Sequence, residues 1–105
     1  MKRYAVVLVT CESVREAKRL AGALLNNKLI ACANIINAVE SYFWWKGKIN
    51  TAKESLLLLK TKKSLVQKVE KEILRLHRYE VPEIIAFPID SGNERYLAWI
   101  EDSCR

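Results

Sequence analysis

Between Ile30 and Trp45 the chain runs sixteen residues without a glycine or a proline, and in ACANIINAVESYFWW β-branched and aromatic side chains fall on both alternating faces. Such a run reads as one strand. At about 3.3 Å per residue it would span roughly 53 Å, whereas a compact domain of about 100 residues has a radius of gyration near 13 Å. The strand must bend or project. Because apolar residues face both ways, no polar side is left to turn to water, and exposed apolar surface of that extent marks an interaction site. The expected state is a symmetric homo-oligomer in which this ribbon inserts between, or pairs with, neighbouring subunits.

The remaining segments supply a body for the ribbon. Tyr4–Thr10 is a short apolar run suited to an interior strand. Ser13 with Glu16 forms a capping box, and Val14, Ala17, Leu20, Ala21, Leu24 and Leu25 then recur at helical spacing to about Lys28. Lys46–Asn50 reads as a turn and Ser55–Lys60 as the returning strand. Ser64 with Gln67 reads as a second capping box, opening a helix that ends near His77. In the connector Arg78–Glu83, Pro82 holds Val81 extended. Ile84–Asp90 is a last strand that Pro88 confines to a sheet edge or a bulge. Ser91-Gly92-Asn93 breaks the chain before a short helix carrying Tyr96, Leu97, Trp99 and Ile100. The order is βαββαβ with an appended C-terminal helix, so residues 1–105 are expected to form one α+β domain of ferredoxin-like type: an antiparallel sheet, helices on one face, and a long protruding β-hairpin.

Charge and cysteine content narrow the function. Eighteen Lys plus Arg against twelve Asp plus Glu give a formal charge of +6. Seven basic residues but only two acidic ones lie between Lys60 and Arg78, which reads either as a solvated helix face or as a surface for an anionic partner. The three cysteines, Cys11, Cys32 and Cys104, show no CxxC spacing. MKRYAVVLVT has too short an apolar stretch for a signal peptide and lacks a small-residue cleavage site. A cytoplasmic protein with reduced thiols is expected. No run reaches the roughly 20 apolar residues of a membrane-spanning helix.

Four blocks in order, Ala31-Cys32-Ala33-Asn34-Ile35, Trp45-Lys46-Gly47-Lys48, Glu54 with Lys60-Thr61, and His77-Arg78-Tyr79-Glu80-Val81-Pro82-Glu83-Ile84, resemble the CutA family of divalent-cation tolerance proteins. The resemblance covers essentially the whole chain. It implies a tight homotrimer with PII-like architecture, divalent metal ions (copper in particular) as ligands, and a role in metal tolerance or signalling rather than catalysis. The chain departs from the family pattern at Arg78, Phe43 and Lys46, where a proline, a tyrosine and an acidic residue are common. Leu76 and Val9 stand where some copper-binding members carry a second histidine and a cysteine.

Cys32 is suited, as a thiolate, to a soft metal such as Cu(I) or Zn, or else is a buried structural residue. His77, the only histidine, can ligate a metal through a neutral imidazole nitrogen or cap the last helical carbonyls. A closed zinc site needs four ligands, so a metal would have to draw His77 from one subunit and Cys32 or Glu83 from another. Tyr42, Phe43, Trp44 and Trp45 are read chiefly as oligomer packing. Together with Lys60, Tyr79 and Pro88 they are assigned to the subunit interface and its cleft. A PII-like site for a small ligand or anion beside Lys60 or Arg78 is the alternative. A basic RNA-binding domain lacks the RNP pattern, so no nucleic acid is expected. No Gly-rich phosphate loop or serine elbow points to an enzyme.

Overall fold

A computed structural model describes residues 3–105. The elements are β1 (Tyr4–Cys11), α1 (Val14–Asn26), β2 (Cys32–Trp45), β3 (Lys48–Lys62), α2 (Val66–Leu76), β4 (Ile84–Pro88) and α3 (Glu94–Ser103). The strands form a single sheet in the order β2-β3-β1-β4, with every neighbouring pair antiparallel. This is the ferredoxin-like topology expected from the element order.

Alternation along the strands divides the sheet into two unlike faces. Val7, Val9, Leu57 and Leu59 point to the helical side, where they form one core with Ala17, Leu20 and Leu24 of α1 and Val69 and Ile73 of α2. α3 seals one end of the body through a smaller cluster of Ala31, Leu65, Ile100 and Cys104. The opposite face is covered by a helix only at one end, where Glu101 of α3 meets Tyr4 and Lys62 and Tyr96 meets Cys32. The strand register aligns Phe87, Val6, Lys60 and Cys32 in one row and Ile85, Leu8, Leu58 and Asn34 in the next. Val6, Leu8, Leu56 and Leu58 are half-buried there, while Ile36, Ile85 and Phe87 are exposed.

The long ribbon both bends and projects. Its register shifts between Ile36 and Val39, where Ala38 takes φ 60°, and a bulge at that point increases local twist. Beyond it β2 and β3 run on past the end of β1, which pairs no further than Cys11 with Ser55. The hairpin arm stretches the molecule to 44 × 26 × 22 Å.

Several boundaries differ from expectation. The hairpin turn is only Lys46-Gly47, at φ 52° and 78°. Two successive positive φ values are the mark of the I′ turn that matches strand twist. Asn50, expected in the turn, lies on β3, where its side chain donates to the carbonyls of Trp45 and Lys48. β3 accordingly begins at Lys48 rather than Ser55. The Ser13 cap forms, its hydroxyl accepting from the Glu16 amide at 3.2 Å. The Ser64–Gln67 box does not. A 3₁₀ turn over Lys63–Leu65 leads into α2 with no side-chain cap. β4 ends at Pro88 rather than Asp90, and Pro88 lies on an edge strand that, among the described residues, pairs only with β1.

Candidate functional site

An open cleft of about 980 Å³ runs along the hairpin arm, from Glu54 at its foot to Trp45 beside its turn. One wall is the arm itself, with Tyr42, Phe43, Trp44 and Trp45. The other is the connector after α2, with Tyr79, Pro82 and Glu83. The four arm aromatics are 40–71% exposed. Pro82 restricts the connector backbone, and β4, paired with β1 from Ile84 onward, fixes its end to the sheet. Tyr79 then reaches across, and its hydroxyl donates to Glu54 Oε2 at 2.8 Å. Burial, and after it the Glu54 carboxylate, push the Tyr79 phenol well above its usual range.

His77 braces the same connector. Its Nε2–H donates to the Thr10 carbonyl at 2.8 Å, and its Nδ1 accepts from the Tyr79 amide at 3.0 Å. A carbonyl partner on one nitrogen and an amide donor on the other define a neutral imidazole with the proton on Nε2. The ring packs 4.7 Å, centroid to centroid, from that of Tyr79. The side chain therefore does not cap α2, as one reading of the sequence had it, but ties the end of that helix to the end of β1.

The Glu16 charge beside the cleft is paired. The buried Glu16 carboxylate receives Arg19 at 2.8 Å and Arg78 at 3.1 Å. Arg19 hydrogen bonding, which outweighs burial, together with Arg78, holds its pKa below the usual carboxylate range. Arg19 also donates to the Leu76 carbonyl at 2.6 Å, so one guanidinium joins α1 to the C-terminus of α2.

Cys32 belongs to a different place. It lies on the open sheet face, where Lys60 Nζ approaches its sulfur at 3.9 Å. Tyr96 of α3 interacts with the same sulfur, and burial followed by Cys32 raises the pKa of that tyrosine. Cys11 is enclosed between the Ser13 and Ser55 carbonyls, and burial pushes its thiol up to about 11. Cys104 donates to the Ile100 carbonyl at 3.2 Å.

The fold thus brings Tyr42, Phe43, Trp44, Trp45, Tyr79 and Glu83 to one cleft and puts Lys60 with Cys32 on the open face. Pro88 is exposed on the β4 edge. Within one chain Cys32, His77 and Glu83 do not combine into a metal centre. Among the described residues no group of three His, Cys, Asp or Glu side chains is placed to hold an ion, and both His77 nitrogens are already engaged. Sequence reasoning missed the Glu54–Tyr79 bond and the Thr10 carbonyl. The only signal for the first was that Glu54 and Tyr79 both lie in the ordered blocks.

Residues 5–103 match the CutA1 divalent ion tolerance protein family. The chain is 45% identical over 100 residues to the chloroplastic protein CutA 1 of Oryza sativa subsp. japonica, covering 95% of this chain and 56% of that protein. It is 39% identical to the divalent-cation tolerance protein CutA of Archaeoglobus fulgidus, covering 92% and 94% of the two chains. The chain thus spans about half the length of the plant relatives it matches and nearly all of the archaeal one. In structure it superposes on crystalline CutA1 from Oryza sativa with a TM-score of 0.96 at 43% identity, covering 99% of this chain and 95% of that one. For the divalent cation tolerance protein of Thermus thermophilus the TM-score is 0.94 at 38% identity, with 97% and 99% covered. Among the described residues no helix is long and apolar enough to cross a membrane. Fold, ordered motif blocks and sequence identity agree, and the chain belongs to the CutA1 family of divalent ion tolerance proteins.

Proposed function

We propose that the chain acts as a homotrimer that takes up divalent cations, copper among them, at clefts between subunits, and serves tolerance or signalling without catalytic turnover. The observation that carries the trimeric half is the uncovered apolar surface. Ile36, Tyr42, Trp44, Ile49, Ile85 and Phe87 stand 43–71% exposed on the arm and the open sheet face. Burying such side chains yields about 2 kcal/mol each, hence of order 10 kcal/mol for six, which is comparable to the roughly 4–15 kcal/mol that association costs. The free edge of β2, fourteen residues long, adds a row of unpaired backbone groups, and such an edge is a template for pairing with another chain.

The cation half rests on the family and on the donors each subunit contributes. Glu83 is exposed at the cleft and Cys32 is half-buried on the face that would meet a neighbour. A site built between copies would combine such donors with His77, whose Nδ1 would first have to release the Tyr79 amide. Three unpaired cysteines, two of them buried, favour a reducing, cytoplasmic setting.

Calorimetric titration of the assembled protein with copper tests the cation half. The expected result is saturable binding, weakened at least tenfold in Cys32→Ala and Glu83→Gln. Identical isotherms for wild type and both variants would remove those residues from the site.

A further inference from the structure

Much of the basic surplus between Lys60 and Arg78 lies outside the cleft. On the helical side of the sheet, the end of α1 and the outer side of α2 frame a shallow groove of about 590 Å³, lined by Asn27, Leu29, Lys68, Lys71, Leu74 and Arg75 together with Glu72. Lys68, Lys71 and Arg75 follow one another at helical spacing along one stripe of α2. The Glu72 carboxylate is fully used, with Arg75 on both oxygens at 2.8 Å and Asn27 at 3.4 Å. That pair cancels, and Lys68 and Lys71 have no ion-pair partner among the described residues. Between the cations stands Leu74, 54% exposed and outside both core clusters, with half-buried Leu29 across the groove.

The geometry points to a docking groove for an acidic peptide segment of a partner protein, with one apolar side chain set on Leu74 and Leu29 and neighbouring carboxylates on Lys68 and Lys71. Charge complementarity selects the occupant. Two uncompensated ammonium groups lie about one and two turns before an apolar anchor on the same helix, and such a pattern fits a short motif that combines carboxylates with a hydrophobic residue. A nucleic acid fits less well, because no aromatic side chain lines the groove on which a base could stack. The groove lies on the helical layer, opposite the face assigned to subunit contacts, so its occupancy does not depend on the proposed trimer.

Fluorescence anisotropy of the full chain with a dye-labelled peptide carrying one leucine flanked by glutamates tests this. Saturable binding is expected, about tenfold weaker in Lys68→Gln/Lys71→Gln and about tenfold weaker in Leu74→Ser, consistent with the loss of a desolvated charge contact or a buried anchor. Lys63→Gln, outside the groove, should bind like wild type. Absence of saturation at millimolar protein, or equal binding of the glutamine-for-glutamate peptide, would overturn the assignment. So would single-stranded RNA of similar length displacing the peptide with no effect of Leu74→Ser, which would make the stripe a general polyanion surface.

Discussion

The Tyr79 hydroxyl donates to Glu54 Oε2 at 2.8 Å, and this bond ties the connector after α2 to the foot of the hairpin arm. Glu54 is 9% exposed, so losing the donor would leave a buried carboxylate short of a partner. Tyr79→Phe is expected to destabilise the fold by about 1–3 kcal/mol, read as a lower urea midpoint. Because the phenol is held neutral in the folded state, the unfolded chain releases that proton first as pH rises. Wild-type stability should therefore fall above about pH 10, and Tyr79→Phe should lose less over that window. Parallel pH curves for the two proteins would contradict this reading.

Acid acts through the carboxylates. Glu16 is held low chiefly by the Arg19 hydrogen bond, and Glu72 by that of Arg75. For Glu101 burial pushes upward, but Tyr4 and Lys62, with Arg3, outweigh it. All three pKa values are lower folded than unfolded, so their contribution is complete above the ordinary carboxylate range and is lost as pH falls through the folded values. Thermal midpoints should drop on going from about pH 5 toward pH 3. Glu16→Gln should be less stable than wild type at neutral pH and flatter across that range. A wild-type midpoint unchanged down to pH 3 would refute the assignment.

The turn at Lys46-Gly47 makes a prediction of opposite signs. Both residues need positive φ, which Asn-Gly meets better than Lys-Gly. Lys46→Asn should stabilise by roughly 0.5 kcal/mol and Gly47→Ala should destabilise by about 1 kcal/mol, both read from chemical denaturation. Gly47→Ala at wild-type stability would show that the turn adopts another geometry.

Thiol chemistry separates the cysteines. Cys11 and Cys104 are 1% exposed and hydrogen-bonded to backbone carbonyls, while Cys32 is only half-buried. A maleimide should label at most one thiol per native chain, and Cys32→Ser should abolish that labelling while leaving two sites in denaturant. Rapid native labelling of Cys32→Ser would contradict the described packing.

What could be read from the residues alone follows the strength of the physical signal. The apolar periodicities of Val14–Leu25 and Leu65–Leu76 and the uninterrupted run through Trp45 each reflect a single dominant force, burial, and the topology followed from them. The Ala38 bulge was hidden because alanine has no preference for positive φ, so nothing at that position announces it. Asn50 drew the turn past Gly47 because asparagine favours turns generally, whereas here its side chain braces one from outside. In the cleft, residue types were legible but pairings were not. Glu54 and Tyr79 are twenty-five positions apart, and only the β3 register and the Pro82 connector bring them together. His77 likewise finds Thr10 at a separation of 67 positions.

Light scattering coupled to size exclusion at micromolar concentration weighs the central claim, that the arm and open sheet face are covered by other copies of the chain. The account predicts a species of three times the 12.1 kDa chain mass, with the emission of Trp44 and Trp45 shifted toward that of buried indoles. A stable 12.1 kDa species with water-exposed tryptophan emission would contradict it.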